Sequence, residues 1–236
     1  MKGTTGFPVR LRYAKRGKIR WIGHRDVARA MERAFRVARL PLAFSEGFSP
    51  HPKVSFGLAL PTGAESDAEY LDLVLVDAID LDALPGALSS ALPSGLDVTG
   101  AAPLVDRAPA LQESVTVVAW RVEIEPVPDA AERVAAGLAA TTLETTRRRK
   151  GREVVEDVRP VVRSLVLAGE GADGTGIIEM ECNTRPRSAK PGEVLAAIGG
   201  LTEVRSLRTH QWIERDGARH EPLDADMRRH AEARAS

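Results

Sequence analysis

Apolar and polar positions alternate over residues 7–14. Val9, Leu11 and Tyr13 fall on one side, Arg10 and Arg12 on the other, a period of two that predicts a half-buried strand. Residues 15–18 form a basic turn around Gly17, and residues 19–22 extend a second short strand. Over residues 24–39 the period changes to that of a helix. Val27, Met31, Ala34, Phe35 and Ala38 share one face, while Arg25, Arg29, Arg33, Arg36 and Arg39 crowd the opposite one. Gly23 stands at the N-cap, Asp26 lies near the positive end of the helix dipole, and the Leu40-Pro41 pair stops the helix.

Further along, residues 41–44 read as a strand start and residues 45–53 as a loop rich in Gly and Pro. Residues 54–60 and 69–76 read as strands, 81–91 as a short helix and 96–102 as a strand. That order, strand-helix-strand-strand-helix-strand, is the ferredoxin-like one. After a linker at 103–112 the order repeats: a strand at 115–124, a helix at 129–140, strands near 142–148, 153–167 and 176–182, a helix at 191–198 and a strand at 204–213. The expectation is an α+β chain of two tandem ferredoxin-like (βαββαβ) halves with antiparallel sheets. Residues 1–103 form the first half, 113–213 the second, and 214–236 a polar tail with a short helix near 222–233.

Hydrophobic residues make up 43% of the 236, enough for a core, but aromatics are only 4%, so that core rests on Leu, Val, Ile and Ala. The one cysteine, Cys182, excludes a disulfide framework, a four-Cys zinc site and an iron–sulfur cluster held by this chain alone. It also suits a reducing compartment. There is no run of eighteen apolar residues and no signal-peptide core. The location expected is cytoplasmic, with no membrane partner.

Charge changes the picture most. The formal net charge is zero, yet residues 1–53 carry thirteen Lys or Arg against three Asp or Glu, a net of +10. Residues 54–146 carry three against fifteen, a net of −12. Such segregation builds a local field suited to an anionic partner. The 27 Arg against 6 Lys also fit a GC-rich genome, so clustering carries more weight than the arginine preference itself.

The candidate ligand contacts follow from clustering. In the positive block they are Lys15, Lys18 and Arg20 of the turn region and Arg25, Arg29, Arg33 and Arg36 of the helix. The loop adds Ser45, Glu46, Gly47, Phe48, His51 and Lys53. Pro50 and Pro52 hold the backbone on either side of His51, which lowers the entropy cost of presenting it; a polar inter-strand turn is the bland alternative. His24 and His51 are the candidate catalytic residues, an acid/base pair if the loop folds over the start of the helix. A buried histidine bonded to a carbonyl is the plainer reading of His24. A second basic cluster, Arg147, Arg148, Arg149, Lys150 and Arg152, reads as a hairpin tip. With Tyr13, Trp21 and Phe48 available for stacking, it suggests RNA contact. No histidine pair has metal-ligand spacing, and no phosphate-cradling or dinucleotide glycine pattern occurs. No metal or cofactor is expected.

Several stretches resemble one bacterial family. Residues 16–26 (RGKIRWIGHRD), 40–56 (LPLAFSEGFSPHPKVSF) and 62–70 (TGAESDAEY) look like the radical-SAM-linked proteins of the domain of unknown function 2344, as do 147–154, 157–160 and 188–195. The resemblance spans about residues 8–213. It implies a radical SAM protein as partner, either fused or encoded nearby. The family places Ser before the helix histidine where this chain has Gly23. The chain cannot hold a three-Cys radical SAM cluster itself.

The expected function is an accessory protein that binds RNA (tRNA or rRNA) or presents substrate to a partner radical SAM enzyme. A metal-independent RNA-processing enzyme using His24 and His51 is the alternative. A protein–protein adaptor docking through the acidic 54–146 segment is a third.

Overall fold

A computed structural model describes residues 6–104, 109–149 and 151–224. The chain divides into two compact units, Met1–Val115 with Trp212–Ser236, and Thr116–Gln211.

In the first unit the alternating stretch becomes strand β1 (Phe7–Lys15), with Val9, Leu11 and Tyr13 buried. Helix α1 (His24–Val37) lays Val27, Met31, Ala34 and Phe35 over them. Strand β2 (Val54–Phe56) pairs with β3 (Glu65–Leu75), which pairs with β1; helix α2 (Leu84–Ser89) precedes β4 (Leu96–Pro103), on the other side of β1. All three pairings are antiparallel, and the strand order is β4-β1-β3-β2. Both helices pack on one face, where Leu71, Leu73, Leu75, Leu84, Leu88 and Leu96 complete the core. Full burial of each such side chain contributes roughly 1.5–3 kcal/mol.

The opposite face of this sheet is also covered. Ala68 and Tyr70 pack against Leu111 of helix α3 (Leu111–Ser114) and against Leu223. Gly100 leaves room for that contact, since a Cβ there would lie 2.8 Å from Leu223 Cδ2.

In the second unit β5 (Val117–Ile124) is followed by helix α4 (Ala130–Ala139), the hairpin β6 (Glu144–Arg149) and β7 (Arg152–Asp157), then β8 (Val162–Glu170) and β9 (Gly176–Asn183). Helix α5 (Pro191–Ala197) leads into β10 (Glu203–Arg215). Strand β9 lies antiparallel between β5 and β8, and β10 lies beside β5. Buried side chains of this unit include Val118, Val122, Ile124, Val134, Leu165, Ile178, Met180, Val194 and Leu195. The hairpin turns at Gly151, whose φ of +80° favours glycine.

Several expectations change. The main sheet is mixed, not purely antiparallel. Alternation reports which face of a strand is buried and says nothing of its neighbour's direction. Residues 19–22 are no strand; Gly17–Trp21 is a 3-10 turn, held because the Lys15 ammonium donates to the carbonyls of Arg20 and Ile22. Residues 41–44 make only isolated bridges, Leu42 to Leu75 and Phe44 to Pro52, since a proline has no N–H to offer a ladder. Strand β3 starts four residues before the expected 69 because Glu65, Ser66 and Glu69 are buried polar groups that break the hydrophobic pattern.

The stretch 153–167 is two strands split by a 3-10 turn at Arg159–Val161, where Pro160 interrupts the ladder.

The polar tail from 214 is structured up to 224. Beyond β10 the chain turns at Asp216-Gly217 and returns as β11 (Ala218–His220). Glu221 then pairs with Arg12, and the Pro222 carbonyl accepts from Arg10. Residues 222–224 are helical; the rest of the expected 222–233 helix, like 105–108 of the linker, lies outside the described residues. Among the described residues no helix is long and apolar enough to cross a membrane.

Candidate functional site

The basic residues of the first unit divide by element. On β1, Arg10 is 1% exposed. Its Nε and Nη2 donate to the two Asp72 oxygens at 2.7 and 2.9 Å, and its Nη1 to the Pro222 carbonyl at 3.2 Å. Arg12 pairs with Glu221 at 2.9 Å and donates to the Asp67 carbonyl at 3.0 Å. Arg16 forms a two-pronged pair with the Asp67 carboxylate. Arg20 lies 3.8 Å from the fully buried Glu65 and 5.1 Å over the exposed Trp21 ring. These guanidinium charges are largely spent inside the unit.

Helix α1 differs. Arg25, Arg33 and Arg36 are exposed and make no ion pair among the described residues. Arg29 has only a 3.3 Å contact with Asp26 one turn back, and both side chains are mostly solvated. Such an exposed pair is worth little. The face opposite the core therefore keeps its positive potential.

Beside the start of α1 a small cleft holds about 20 Å³, room for about one water. His24, Phe56, Tyr13, Lys15 and Glu69 line it. His24 comes from the 16–26 stretch, Phe56 from 40–56 and Glu69 from 62–70, so three of the stretches that carry the family resemblance meet here. The exposed His24 ring stands edge-on to Phe56, with centroids 5.0 Å apart. Lys15 is no exposed ligand contact. Burial pulls its pKa down, and the negative charge of Glu69 opposes that pull. Its Nζ donates to the carbonyls of Arg20 and Ile22 at 3.0 and 2.9 Å.

Sequence reasoning missed Glu69, although a signal existed. The alternation that buries Leu71 and Leu73 carries Glu69 inward, opposite Tyr13. The same alternation carries Lys15 inward behind Val9, Leu11 and Tyr13.

The loop after α1 closes on itself. The Ser45 hydroxyl accepts from the His51 N–H at 3.0 Å, and the Ser45 N–H donates to the His51 carbonyl at 2.8 Å. Gly47, with φ +130°, turns the chain, and Phe48 stands fully exposed near the tip. Glu46, His51 and Lys53 are exposed, as is Lys18 in its turn. His51 is not among the residues lining the His24 cleft, so that cleft does not unite the two histidines.

In the second unit Arg147 is bound internally, its Nη2 donating to Glu156 at 2.7 Å. That hydrogen bond pushes its pKa up. This removes Arg147 from the set of free contacts at the hairpin tip. Arg152 is exposed. Lys150 and the side chains of Arg148 and Arg149 lie outside the described residues. Cys182 is buried between β-strands, and burial pushes its thiol up to about 12.

No curated protein matches the chain. Among solved structures, a chain in the crystal structure of a Cbf5-Nop10-Gar1 complex is similar at a TM-score of 0.44 and 10% identity, over 88% of this chain and 49% of that one. The present chain thus spans about half the length of that relative. Residues 9–191 match the family described as an uncharacterized protein conserved in bacteria (DUF2344), and the chain belongs to that family.

Proposed function

We propose that this chain is an RNA-binding accessory protein, with tRNA or rRNA as ligand, that serves a partner radical SAM enzyme. The observation that carries the reading is the open arginine face of α1: Arg25, Arg33 and Arg36 stand exposed without ion pairs among the described residues, in a unit whose strand arginines are paired. Arginine suits phosphate through its planar, multi-donor head. The exposed Trp21, just before α1, adds a stacking surface.

The covered sheet bears on the mode of contact. A four-stranded sheet that reads RNA does so with aromatics on an open face. Here that face carries Tyr70 at 1% exposure under Leu111 and Leu223. The helix side is the available one. We also read both units as ferredoxin-like. In the first, the order β4-β1-β3-β2 supports this. In the second, β10-β5-β9-β8 has the same pattern once the β6–β7 hairpin is treated as an insertion.

Filter binding of tRNA across a salt series tests the proposal. Affinity is expected to fall log-linearly with salt. Replacing Arg25, Arg33 and Arg36 together by Gln is expected to weaken binding at least ~10-fold and make the slope shallower by about 2, near 0.7 per phosphate contact. Salt-insensitive affinity, or a triple variant that binds like the parent, would sink it. Capture of a radical SAM protein that survives nuclease treatment tests the partnership separately.

A second reading is favoured by one observation: His24 stands at a cleft whose lining includes buried Lys15 and Glu69. A metal-independent RNA-processing activity would use His24 there as acid or base. His24→Ala that abolishes RNA turnover while retaining binding would select this reading.

A further inference from the structure

The sheet face of the first unit that turns away from α1 and α2 is occupied by the chain's own C-terminal segment. Strand register sets out what lies beneath. Arg12 stands between Gly100 and Tyr70, and Arg10 between Ala102 and Asp72. Directly opposed residues share a face, so two arginines and an aromatic ring form one patch across three strands.

Residues 221–224 cover this patch. The Glu221 carboxylate meets Arg12 at 2.9 Å, and the Pro222 carbonyl accepts from Arg10 Nη1 at 3.2 Å. Leu223 packs on Tyr70 and over Gly100. The segment offers an anion, a neutral acceptor and an apolar cover.

The fit is incomplete. Tyr70 is 1% exposed, yet its hydroxyl finds no hydrogen-bond partner among the described residues. Burial pushes its pKa up; the negative charge of Glu221 adds to this and Arg12 opposes it. The phenol therefore lies among the groups that hold the segment down. A buried hydroxyl left unbonded is costly, and the Leu223 side chain offers it nothing.

Charge and shape decide the occupant. Arg10 stays matched by Asp72. Arg12 bonds otherwise only to the neutral Asp67 carbonyl, so lifting Glu221 away leaves one unmatched guanidinium. A single-stranded RNA segment supplies the missing parts: phosphate for Arg12, base or sugar oxygens for the Arg10 N–H and the Tyr70 hydroxyl, and a flat base for the ring. A duplex keeps its bases stacked inside. An acidic peptide would repeat the carboxylate and carbonyl already present and leave the phenol unmet.

We propose that residues 221–224 are a displaceable strap over a single-stranded RNA site, in which Arg12 takes a phosphate, Tyr70 stacks a base and Arg10 Nη1 donates to a base or sugar oxygen. This rests on the reading of the chain as an RNA binder and gives it a second face. RNA binds there only when the strap is open, so the closed strap lowers the apparent affinity by the open fraction.

Fluorescence anisotropy with a short oligouridylate on the full chain tests it. The double variant Glu221→Ala, Leu223→Ala is expected to bind at least ~10-fold more tightly than the parent, about 1.4 kcal/mol, and to keep that gain when Arg25, Arg33 and Arg36 are replaced by Gln. Adding Arg12→Gln should remove the gain, and adding Tyr70→Phe should weaken it. Tyr70→Phe alone should not lower the unfolding midpoint, since the hydroxyl it removes makes no bond. In the parent, saturating oligouridylate is expected to speed hydrogen exchange of the Leu223 and Asp224 amides at least ~5-fold.

No gain in the double variant, an equal gain for duplex RNA, a gain that survives Arg12→Gln, or unchanged exchange at saturation would each overturn the proposal. So would a double variant that dimerises without gaining affinity, which makes a second copy the occupant. If the double variant does not fold, the exchange measurement on the parent decides alone. A strap-dependent gain alongside an α1 triple variant that binds tRNA like the parent would uphold this site and sink the α1 reading; tRNA binding lost in the triple variant with no strap-dependent gain would do the opposite.

Discussion

Arg10 and Arg33 lie in the same unit, and both belong to the positive N-terminal block. Arg10 is 1% exposed and locked to Asp72 and the Pro222 carbonyl. Arg33 stands in solvent with no ion pair among the described residues. The difference lies in what the neighbouring element carries. Strand β1 sits between β3 and β4, and β3 presents Asp67, Glu69 and Asp72 along its length. On the exposed face of α1, Arg25, Arg33 and Arg36 meet no carboxylate at ion-pair distance among the described residues. A charge cluster in sequence therefore becomes a surface patch only where the fold withholds carboxylates. Of the thirteen basic residues in the block, those on β1 hold the unit together, and those on α1 remain available to a ligand.

The largest break in this contrast should come from removing a partner of a strand arginine. Asp72→Ala leaves the Arg10 charge buried and uncompensated, and is expected to cost about 3 kcal/mol in urea unfolding. A loss under about 1 kcal/mol would show that Arg10 is solvated and that the two groups of arginines do not differ. Next comes the segment that covers the strand face. Leu223→Ala should cost about 1.5 kcal/mol, because Leu223 is only partly buried against Ala68, Tyr70 and Leu111. An unchanged midpoint would show that residues 221–224 are not part of the first unit's fold.

The helix side should respond in the opposite sense. Arg33→Gln is expected to leave unfolding within about 0.5 kcal/mol of the parent while lowering tRNA affinity about threefold. A stability loss like that of Asp72→Ala would merge the two classes.

The smallest effect concerns a carboxylate satisfied by backbone rather than by arginine. The pKa of Asp157 is lowered in the folded state by the Leu143 and Arg159 N–H groups, so it contributes stability at neutral pH that is lost as pH falls through its folded value. Asp157→Asn should remove that acid limb, so that the two stability curves converge in acid. Parallel curves across the whole acid range would contradict the assignment.

Much of the architecture was legible because it rests on periodicity. The 3.6-residue repeat of Val27, Met31, Ala34 and Phe35 and the alternation in β1 correspond to buried faces. What failed did so for identifiable reasons. The Lys15 ammonium closes a 3-10 turn where a strand was expected. Pro160 splits what read as one long strand. The start of β3 is hidden by Glu65 and Ser66, whose burial no hydrophobicity pattern announces. Of the candidate site, the exposed α1 arginines and His24 could be named from sequence. Lys15 turns inward instead of facing a ligand, and Glu69 is hidden from a sequence reading because a carboxylate within an apolar alternation looks like a break in the buried face.

By itself the sequence determined the faces: which side of each strand and helix is apolar, where the chain turns, and that positive charge collects near the N-terminus. Those are local properties, written in spacing and residue type. Only the tertiary structure decided which charges survive. Pairing Arg10 with Asp72, Arg12 with Glu221 and Arg147 with Glu156 requires strand register and a returning C-terminal segment. Coulomb energy depends on distance in space and on burial, and neither is encoded in the order of residues along the chain.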